Sequence, residues 1–226
     1  MCSSDLKWLA KSKDDFARII EREEDLVNAM NAVSGTSSSL DFRGVEVYVA
    51  TDDQRDKVVN RLNPQLQSKV KTVYRVIPKG QKEKFNSYLK KNNIKHVKEL
   101  WHGSRNCNWL SIIQDSLKLN PNAQITGKMF GQGIYFAPQS LKSWGYTSYH
   151  GTRWASGNSN TAFMGLYAVA YGKPMDVTTA RPSLTGKDLG VYNCVHAHAG
   201  TALLNDEIIF YDEDAILLNY IVEFEG

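Results

Sequence analysis

A chain of 226 residues with 42% hydrophobic and 23% charged residues has the composition of a globular protein and enough length to bury a large core, which excludes disorder. No apolar run reaches the length of a membrane helix. The start, Met1-Cys2-Ser3-Ser4-Asp5-Leu6-Lys7, lacks the basic-then-apolar order of a secretion signal, so residence in the cytosol is expected, or in the nucleus of a eukaryotic cell.

Residues 34–39, Ser-Gly-Thr-Ser-Ser-Ser, form a small polar linker. Ahead of it, Phe16, Ile19, Ile20, Leu26, Val27 and Met30 space apolar side chains as one stripe, so one or two amphipathic helices are expected within 5–33. Residues 1–39 thus read as a helical appendage and linker, and 40–226 as the main domain. After the linker, Phe42, Val45, Val47, Tyr48, Val49 and Ala50 predict one strand, and Asp52-Asp53 opens a helix to about Leu62. Residues 69–77 alternate charged and apolar side chains as a half-buried strand should. Pro78-Lys79-Gly80 predicts a turn, 81–92 a helix with Phe85, Tyr88 and Leu89 on one face, and 107–117 a helix with Trp109, Leu110, Ile113 and Leu117 inward.

The second half is richer in strands. A short strand is expected at 134–137, a helix at 140–149, a central strand at 162–171 and another strand at 191–197. Residues 207–211 and 216–224 read as a hairpin around the acidic turn Asp212-Glu213-Asp214. The sum is an α+β fold with a mostly antiparallel sheet and flanking helices. A doubly wound dinucleotide fold is excluded, because no Gly-x-Gly-x-x-Gly joins a first strand to a helix.

Net charge is only +3, yet segment 54–98 holds thirteen Lys and Arg against Asp56 and Glu83, while 205–226 holds seven acids and no base. The basic segment suits phosphate groups or nucleic acid; the plainer reading is a solvated surface that balances the acidic end of the same domain. Cys2, Cys107 and Cys194 are too irregularly spaced for a disulfide framework or a zinc set, so free thiols are expected. A nucleophilic Cys107–His102 pair is weighed against a packed thiol, and the packed thiol is preferred. His196-x-His198 places two rings on one face of a strand, but no carboxylate or thiolate partner is evident, and no metal is expected. Trp144 and Trp154 with Arg153 suit base stacking less well than core packing or loop anchoring.

Three stretches concentrate the chemistry: Leu100-Trp101-His102-Gly103-Ser104-Arg105, then Thr126-Gly127-Lys128-Met129-Phe130-Gly131-Gln132-Gly133-Ile134-Tyr135-Phe136-Ala137, then Asn205-Asp206-Glu207-Ile208-Ile209-Phe210-Tyr211. Each sets one chemically able residue (His102, Tyr135, Glu207) in apolar strand-type sequence; in the first two, glycines let a ligand approach the backbone. A fourth run, Lys142-Ser143-Trp144-Gly145-Tyr146, offers a hydroxyl and an aromatic face. Any one alone is weak; a lone His102 reads as a buried histidine, Tyr135 and Tyr146 as core aromatics, Ser143 as a surface serine and Glu207 as an edge charge. Together, in this order, they resemble the catalytic domain of the poly(ADP-ribose) polymerase family, of the diphtheria-toxin-like ADP-ribosyltransferases, across about residues 40–224.

The resemblance implies an ADP-ribosyltransferase fold with a split, mostly antiparallel sheet, and an enzyme that cleaves the nicotinamide–ribose bond of NAD+ and transfers ADP-ribose to protein acceptors, itself included. It maps adenosine-ribose binding onto His102 and the nicotinamide amide onto Gly103 and Ser143, with Tyr135 lining that pocket and Tyr146 stacking on the ring. Glu207 becomes the catalytic carboxylate beside the ribose, His102 and Tyr135 complete the catalytic set, and Tyr211 matches the pattern. Ser104 and Arg105 agree with it too, and Lys118 opens a loop to Gly131 that would cover the donor, within reach of adenosine or pyrophosphate. Electrostatic help to an oxocarbenium-like sugar is what such a carboxylate supplies.

Three departures bear on function. The 39 residues before the domain leave no room for the helical regulatory domain of members activated by DNA breaks, so such regulation is not expected in this chain. Lys128 and Gln132 fall at variable places, and 147–160 has no counterpart, which leaves acceptor preference open. Glu207 permits chain elongation without proving it. A transferase acting on nucleic acid or an RNA phosphate through segment 54–98, and an inactive NAD- or ADP-ribose-binding module, are the alternative readings.

Overall fold

The computed structural model describes residues 40–42, 44–119, 129–200 and 203–226. The expected appendage 1–39 and most of the loop after Lys118, Lys128 included, lie outside them. Strands β1 (Leu40–Phe42) and β2 (Val45–Val49) pair antiparallel, Phe42 opposite Val45. The single strand expected at 42–50 is thus a two-residue hairpin, because Gly44 adopts a φ of 83° that few other residues tolerate. Helix α1 (Asp52–Val59) begins in a capping box between Thr51 and Gln54, with Asp52 and Asp53 in its first turn. Helix α2 (Pro64–Gln67) starts on Pro64 behind the Asn63 cap. Strand β3 (Val70–Pro78) runs straight into α3 (Lys79–Lys91), so Lys79 and Gly80 are helical where a turn was expected.

Strand β4 (Lys98–Gly103) leads through a 3-10 turn at Asn106–Asn108 into α4 (Trp109–Asp115), which buries Trp109, Leu110, Ile112 and Ile113. Strand β5 (Ile134–Phe136) is followed by α5 (Ser140–Trp144). That helix is half the predicted length. Beyond it the Gly145 carbonyl accepts from Trp154 N–H at 2.9 Å, and a Cβ on Gly145 would strike the Trp154 ring, so the chain turns away beneath that indole. Strands β6 (Thr161–Val169), β7 (Pro174–Val177), β8 (Cys194–Ala197), β9 (Glu207–Phe210) and β10 (Ile216–Glu225) complete the described elements.

Two sheets result, a six-stranded one ordered β1-β2-β3-β10-β6-β4 and a four-stranded one ordered β5-β9-β8-β7. All pairings are antiparallel except β7 with β8, as the expected α+β split-sheet fold requires. The hairpin predicted for 207–224 does not form: β9 belongs to the small sheet and β10 to the large one. A 3-10 turn at Glu213–Ala215, capped by the Asp212 side chain, redirects the chain between them. All four residues of β9 are buried, and it gains neighbours on both edges from β5 and β8.

Apolar side chains fill three layers. One face of the large sheet packs on α3, α4 and the small sheet through Phe85, Trp109, Ile113, Phe136, Tyr167, Ile208 and Ile221. Its other face meets α1 and α2 through Val58, Leu66, Trp101, Met164 and Phe224, with Trp144 of α5 against them. The outer face of the small sheet is closed by Phe130, Leu184 and Leu189. Part of the basic segment is balanced by acids of the same domain, while most of its lysines stay exposed: Lys71 pairs with Glu223 (3.1 Å) and Glu225 (3.4 Å), Arg61 with Glu99 (3.0 Å) and Lys79 with Glu46 (2.7 Å). No helix among the described residues is long and apolar enough to cross a membrane.

Candidate active site

The two sheets touch where β4 meets the end of β5. Trp101 and Ala137 exchange both backbone hydrogen bonds at 2.9 Å, and beyond that pair the strands part. In the mouth of the split the Tyr135 carbonyl accepts the His102 Nδ1–H at 2.9 Å. Burial holds the His102 imidazole below its ordinary value, the Tyr135 carbonyl opposing, so the ring is neutral near pH 7 and its Nε2 is left as an acceptor. Strand alternation turns the N–H and C=O of Gly103 to the same side as those of Trp101, toward the split.

Gly103 also marks the closest approach of another element. A Cβ there would overlap the Ser143 carbonyl, so only glycine lets β4 lie on α5. Ser143 is buried, and Tyr146 follows one turn later with its N–H on the Ser143 carbonyl at 3.1 Å. The ring of Tyr146 stacks on Trp154 at 6.2 Å between centroids and 20° between planes, and Arg153 lies over the same indole. The stretch 147–160, unplaced from sequence, is therefore a braced loop that holds Trp154 against Tyr146. The Thr152 hydroxyl, 2.9 Å from both the Thr147 and Tyr149 carbonyls, ties it internally. Trp144 packs instead in the core, against Phe224.

Glu207 opens β9 almost wholly buried, and the Lys142 ammonium of α5 sits 2.7 Å from its Oε1. Lys142 also donates to the Asn205 carbonyl at 3.2 Å. Register puts Tyr135 opposite Ile209, which makes Tyr135 and Glu207 diagonal neighbours on one face. Their proximity is felt electrostatically: burial first, and the Glu207 carboxylate after it, push the Tyr135 phenol up to about 12 and raise that of Tyr146. The Tyr135 hydroxyl is committed elsewhere, accepting from Phe130 N–H at 3.0 Å and donating to the Gly131 carbonyl at 2.8 Å. Tyr211 donates to the Phe130 carbonyl, so two phenols clasp the backbone at 130–131. What Tyr135 offers the cleft is its ring.

The remaining predicted residues spread outward. Ser104 accepts from Asn108 Nδ2 at 3.0 Å, and Arg105 leads into the 3-10 turn. Lys118 is engaged by Glu213 at 3.0 Å, with Leu119 N–H on the same carboxylate. The Cys107 thiol lies by Asn108 Oδ1 at 3.8 Å, whereas the His102 Nδ1 is turned to Tyr135. Sequence reasoning missed Lys142 as the partner of Glu207, although it heads the Lys-Ser-x-x-Tyr run. It also missed the carboxylates beside His196-x-His198, where Asp176 Oδ1 lies 2.6 Å from His198 Nε2 and Asp206 Oδ2 lies 2.9 Å from His196 Nε2.

Around the split the arrangement sets the Gly103 backbone against Ser143, with the Tyr135 and Tyr146 rings, the His102 imidazole and the ion-paired Glu207 carboxylate. Comparison with known proteins gives the family. Residues 39–202 match the family described as the poly(ADP-ribose) polymerase catalytic domain. The chain is 38% identical over 115 residues to human poly [ADP-ribose] polymerase 2, covering 50% of this chain and 18% of that protein. It is 30% identical over 180 residues to poly [ADP-ribose] polymerase 1 of Gallus gallus, covering 70% of this chain and 17% of that one. A putative poly [ADP-ribose] polymerase-like protein of Invertebrate iridescent virus 6 is 29% identical over 185 residues, 76% of this chain and 97% of its own length.

Proposed function

Because this chain belongs to the poly(ADP-ribose) polymerase catalytic-domain family, we propose that it splits NAD+ at the nicotinamide–ribose bond and transfers ADP-ribose to protein acceptors, its own side chains among them. The observation that supports the reading is that α5 meets Gly103 through Ser143 and Glu207 through Lys142.

In this reading the Gly103 N–H and C=O and the Ser143 hydroxyl hold the carboxamide, and the ring lies against Tyr146 with Tyr135 as a further wall. The His102 Nε2 accepts from a ribose hydroxyl at the adenosine end. Lys142 anchors Glu207 through Oε1, leaving Oε2 for the 2′-hydroxyl of the reacting ribose. The C1′–N bond breaks with its electron pair leaving on nicotinamide, which becomes neutral, and the carboxylate offsets the positive charge that develops on the sugar. An acceptor heteroatom then bonds to C1′ and releases its proton to solvent, with Glu207 placed to polarise it. Tyr146, backed by Trp154, limits entry of water from that side.

The test is the isolated chain with NAD+ labelled in the adenine. Release of nicotinamide together with mass adducts of ADP-ribose on the protein is expected without added nucleic acid. Label appearing only on an added oligonucleotide would overturn the protein-directed reading.

A further inference from the structure

We propose that Asp176, His196 and His198 form a binding site for a divalent transition-metal ion, with Asp206 bracing the two imidazoles from behind. The site lies on the small sheet, apart from the cleft, and rests on no property of the transferase reading.

Strand β8 presents His196 and His198 on one face, their rings 4.0 Å apart and inclined by 30°. The parallel neighbour β7, a strand not foreseen from sequence, registers Asp176 directly against His196. The stacked rings are held between two carboxylates. Asp176 Oδ1 is 2.6 Å from His198 Nε2 and 3.9 Å from His196 Nδ1, and Asp206 Oδ2 is 2.9 Å from His196 Nε2 and 3.7 Å from His198 Nδ1.

At hydrogen-bond distance the metal-free cluster is closed: the His196 Nε2–H donates to Asp206 Oδ2 and its Nδ1 accepts from the Tyr171 hydroxyl at 2.8 Å, while the His198 Nε2–H donates to Asp176 Oδ1. A metal ion on the Asp176 side would take the lone pairs of His196 Nδ1 and His198 Nε2 with Asp176 Oδ1, displacing the Tyr171 O–H and shifting the His198 proton to Nδ1. The His196 Nε2–H and the His198 Nδ1–H would then both face Asp206, the carboxylate–histidine–metal pattern of protein sites.

The spacing suits it. One ligand atom from each of the three residues lies within 4.8 Å of the others, and ligands about 2.1 Å from a tetrahedral ion stand roughly 3.4 Å apart. The Tyr171 hydroxyl, 2.8 Å from His196 Nδ1, holds that lone pair in the metal-free chain and would have to turn aside for an ion. Side-chain exposures of 38% for His198 and 62% for Asp176 leave a path from solvent. Two imidazoles and one carboxylate select zinc, cobalt, nickel or copper over magnesium or calcium. Asp206 directly precedes Glu207, so an ion at this site would stiffen the start of β9.

The experiment is a titration of Co2+ into the chain freed of any histidine tag, read by visible ligand-field absorption, with Zn2+ binding followed by calorimetry. One ion per chain is expected, with Mg2+ giving no heat. Asp176→Asn at an exposed position and His198→Ala at a half-buried one should abolish the Co2+ bands while circular dichroism stays native, and Asp206→Asn should weaken Zn2+ binding roughly 10–100-fold. Absence of Co2+ bands in the parent chain, or bands and heats in the natively folded Asp176→Asn and His198→Ala variants that match the parent's, would overturn the assignment and leave the cluster as a hydrogen-bonded histidine pair.

Discussion

Replacing Glu207 by Gln keeps the side chain's size and removes its charge, and the structure separates two consequences. The first is stability. Lys142 Nζ lies 2.7 Å from Glu207 Oε1 with side chains only 12% and 10% exposed, so the ammonium would lose its anion in a poorly solvated place. The amide oxygen and the Asn205 carbonyl at 3.2 Å still accept from it. The cost is therefore nearer that of weakened hydrogen bonding, about 1–2 kcal/mol, than the ~3–5 kcal/mol of an orphaned buried charge. For a chain of this size that lowers Tm by roughly 2–8 °C. The second is rate: loss of the charge facing the oxocarbenium-like sugar should cost about 3–4 kcal/mol of barrier, or roughly 10²–10³ in kcat. KM for NAD+ should hold within about threefold, since the amide-binding edge is untouched. Nicotinamide release at saturating NAD+, with thermal melts of the same samples, reads both. A Glu207→Gln protein with the predicted drop in Tm but kcat within about fivefold of the parent would show that Glu207 is only the partner of Lys142. Lys142→Met and the double variant close the cycle, and a coupling of about 0.5–3 kcal/mol is expected between the two positions.

Gly103→Ala forces a methyl into the Ser143 carbonyl, backbone that cannot give way cheaply, and should cost about 1–3 kcal/mol in urea unfolding while raising KM for NAD+; an unchanged KM would place the amide elsewhere. Tyr135→Phe keeps the ring but strips the Phe130 N–H and the Gly131 carbonyl of their partner, and a loss of about 1–3 kcal/mol is expected with kcat nearly intact. A large fall in kcat without loss of stability would give that hydroxyl a direct chemical role. His102 sits below its ordinary value of 6.5, so on acidification the unfolded chain takes up this proton first. Its stabilising contribution is full above about pH 6.5 and is lost as pH falls toward the folded value. Urea midpoints from about pH 8 to 5 should therefore fall more steeply for the parent than for His102→Gln; parallel curves would refute the buried neutral imidazole.

The sequence made local features legible and left the long-range ones hidden. A motif such as Leu100 to Arg105 announces itself because strand, glycine and polar residue are contiguous, and β3 declares itself by alternation. The 207–224 region was misread for a physical reason: strand, acidic turn, strand is the pattern of a hairpin. What sends β9 and β10 to different sheets is that all four residues of β9 are buried and both its edges are paired. Helix α5 was predicted too long because its stop at Gly145 depends on Trp154, nine residues onward. Lys142 could not be matched to Glu207 across 65 positions, nor Asp176 to His196, whose meeting needs the parallel register of a four-residue strand that carries little alternation.

Why the chemistry gathers where it does follows from the split itself. A continuous sheet would pair Gly103 with Tyr135 two residues beyond the Trp101–Ala137 bridge, using up their backbone groups. His102 intervenes by giving its Nδ1–H to the Tyr135 carbonyl, which satisfies that buried acceptor while leaving the Gly103 edge toward the opening. The same side chain thus closes one backbone account and frees another. Glycine at 103 then brings α5 close enough for Ser143 and Lys142 to reach the opening from below, and the small sheet delivers Glu207 from the far side. On this view His102→Ala would do more than remove a ligand to a ribose. It would let the strands zip further and narrow the cleft, an outcome visible as stronger hydrogen-exchange protection at the amides of Gly103 and Tyr135.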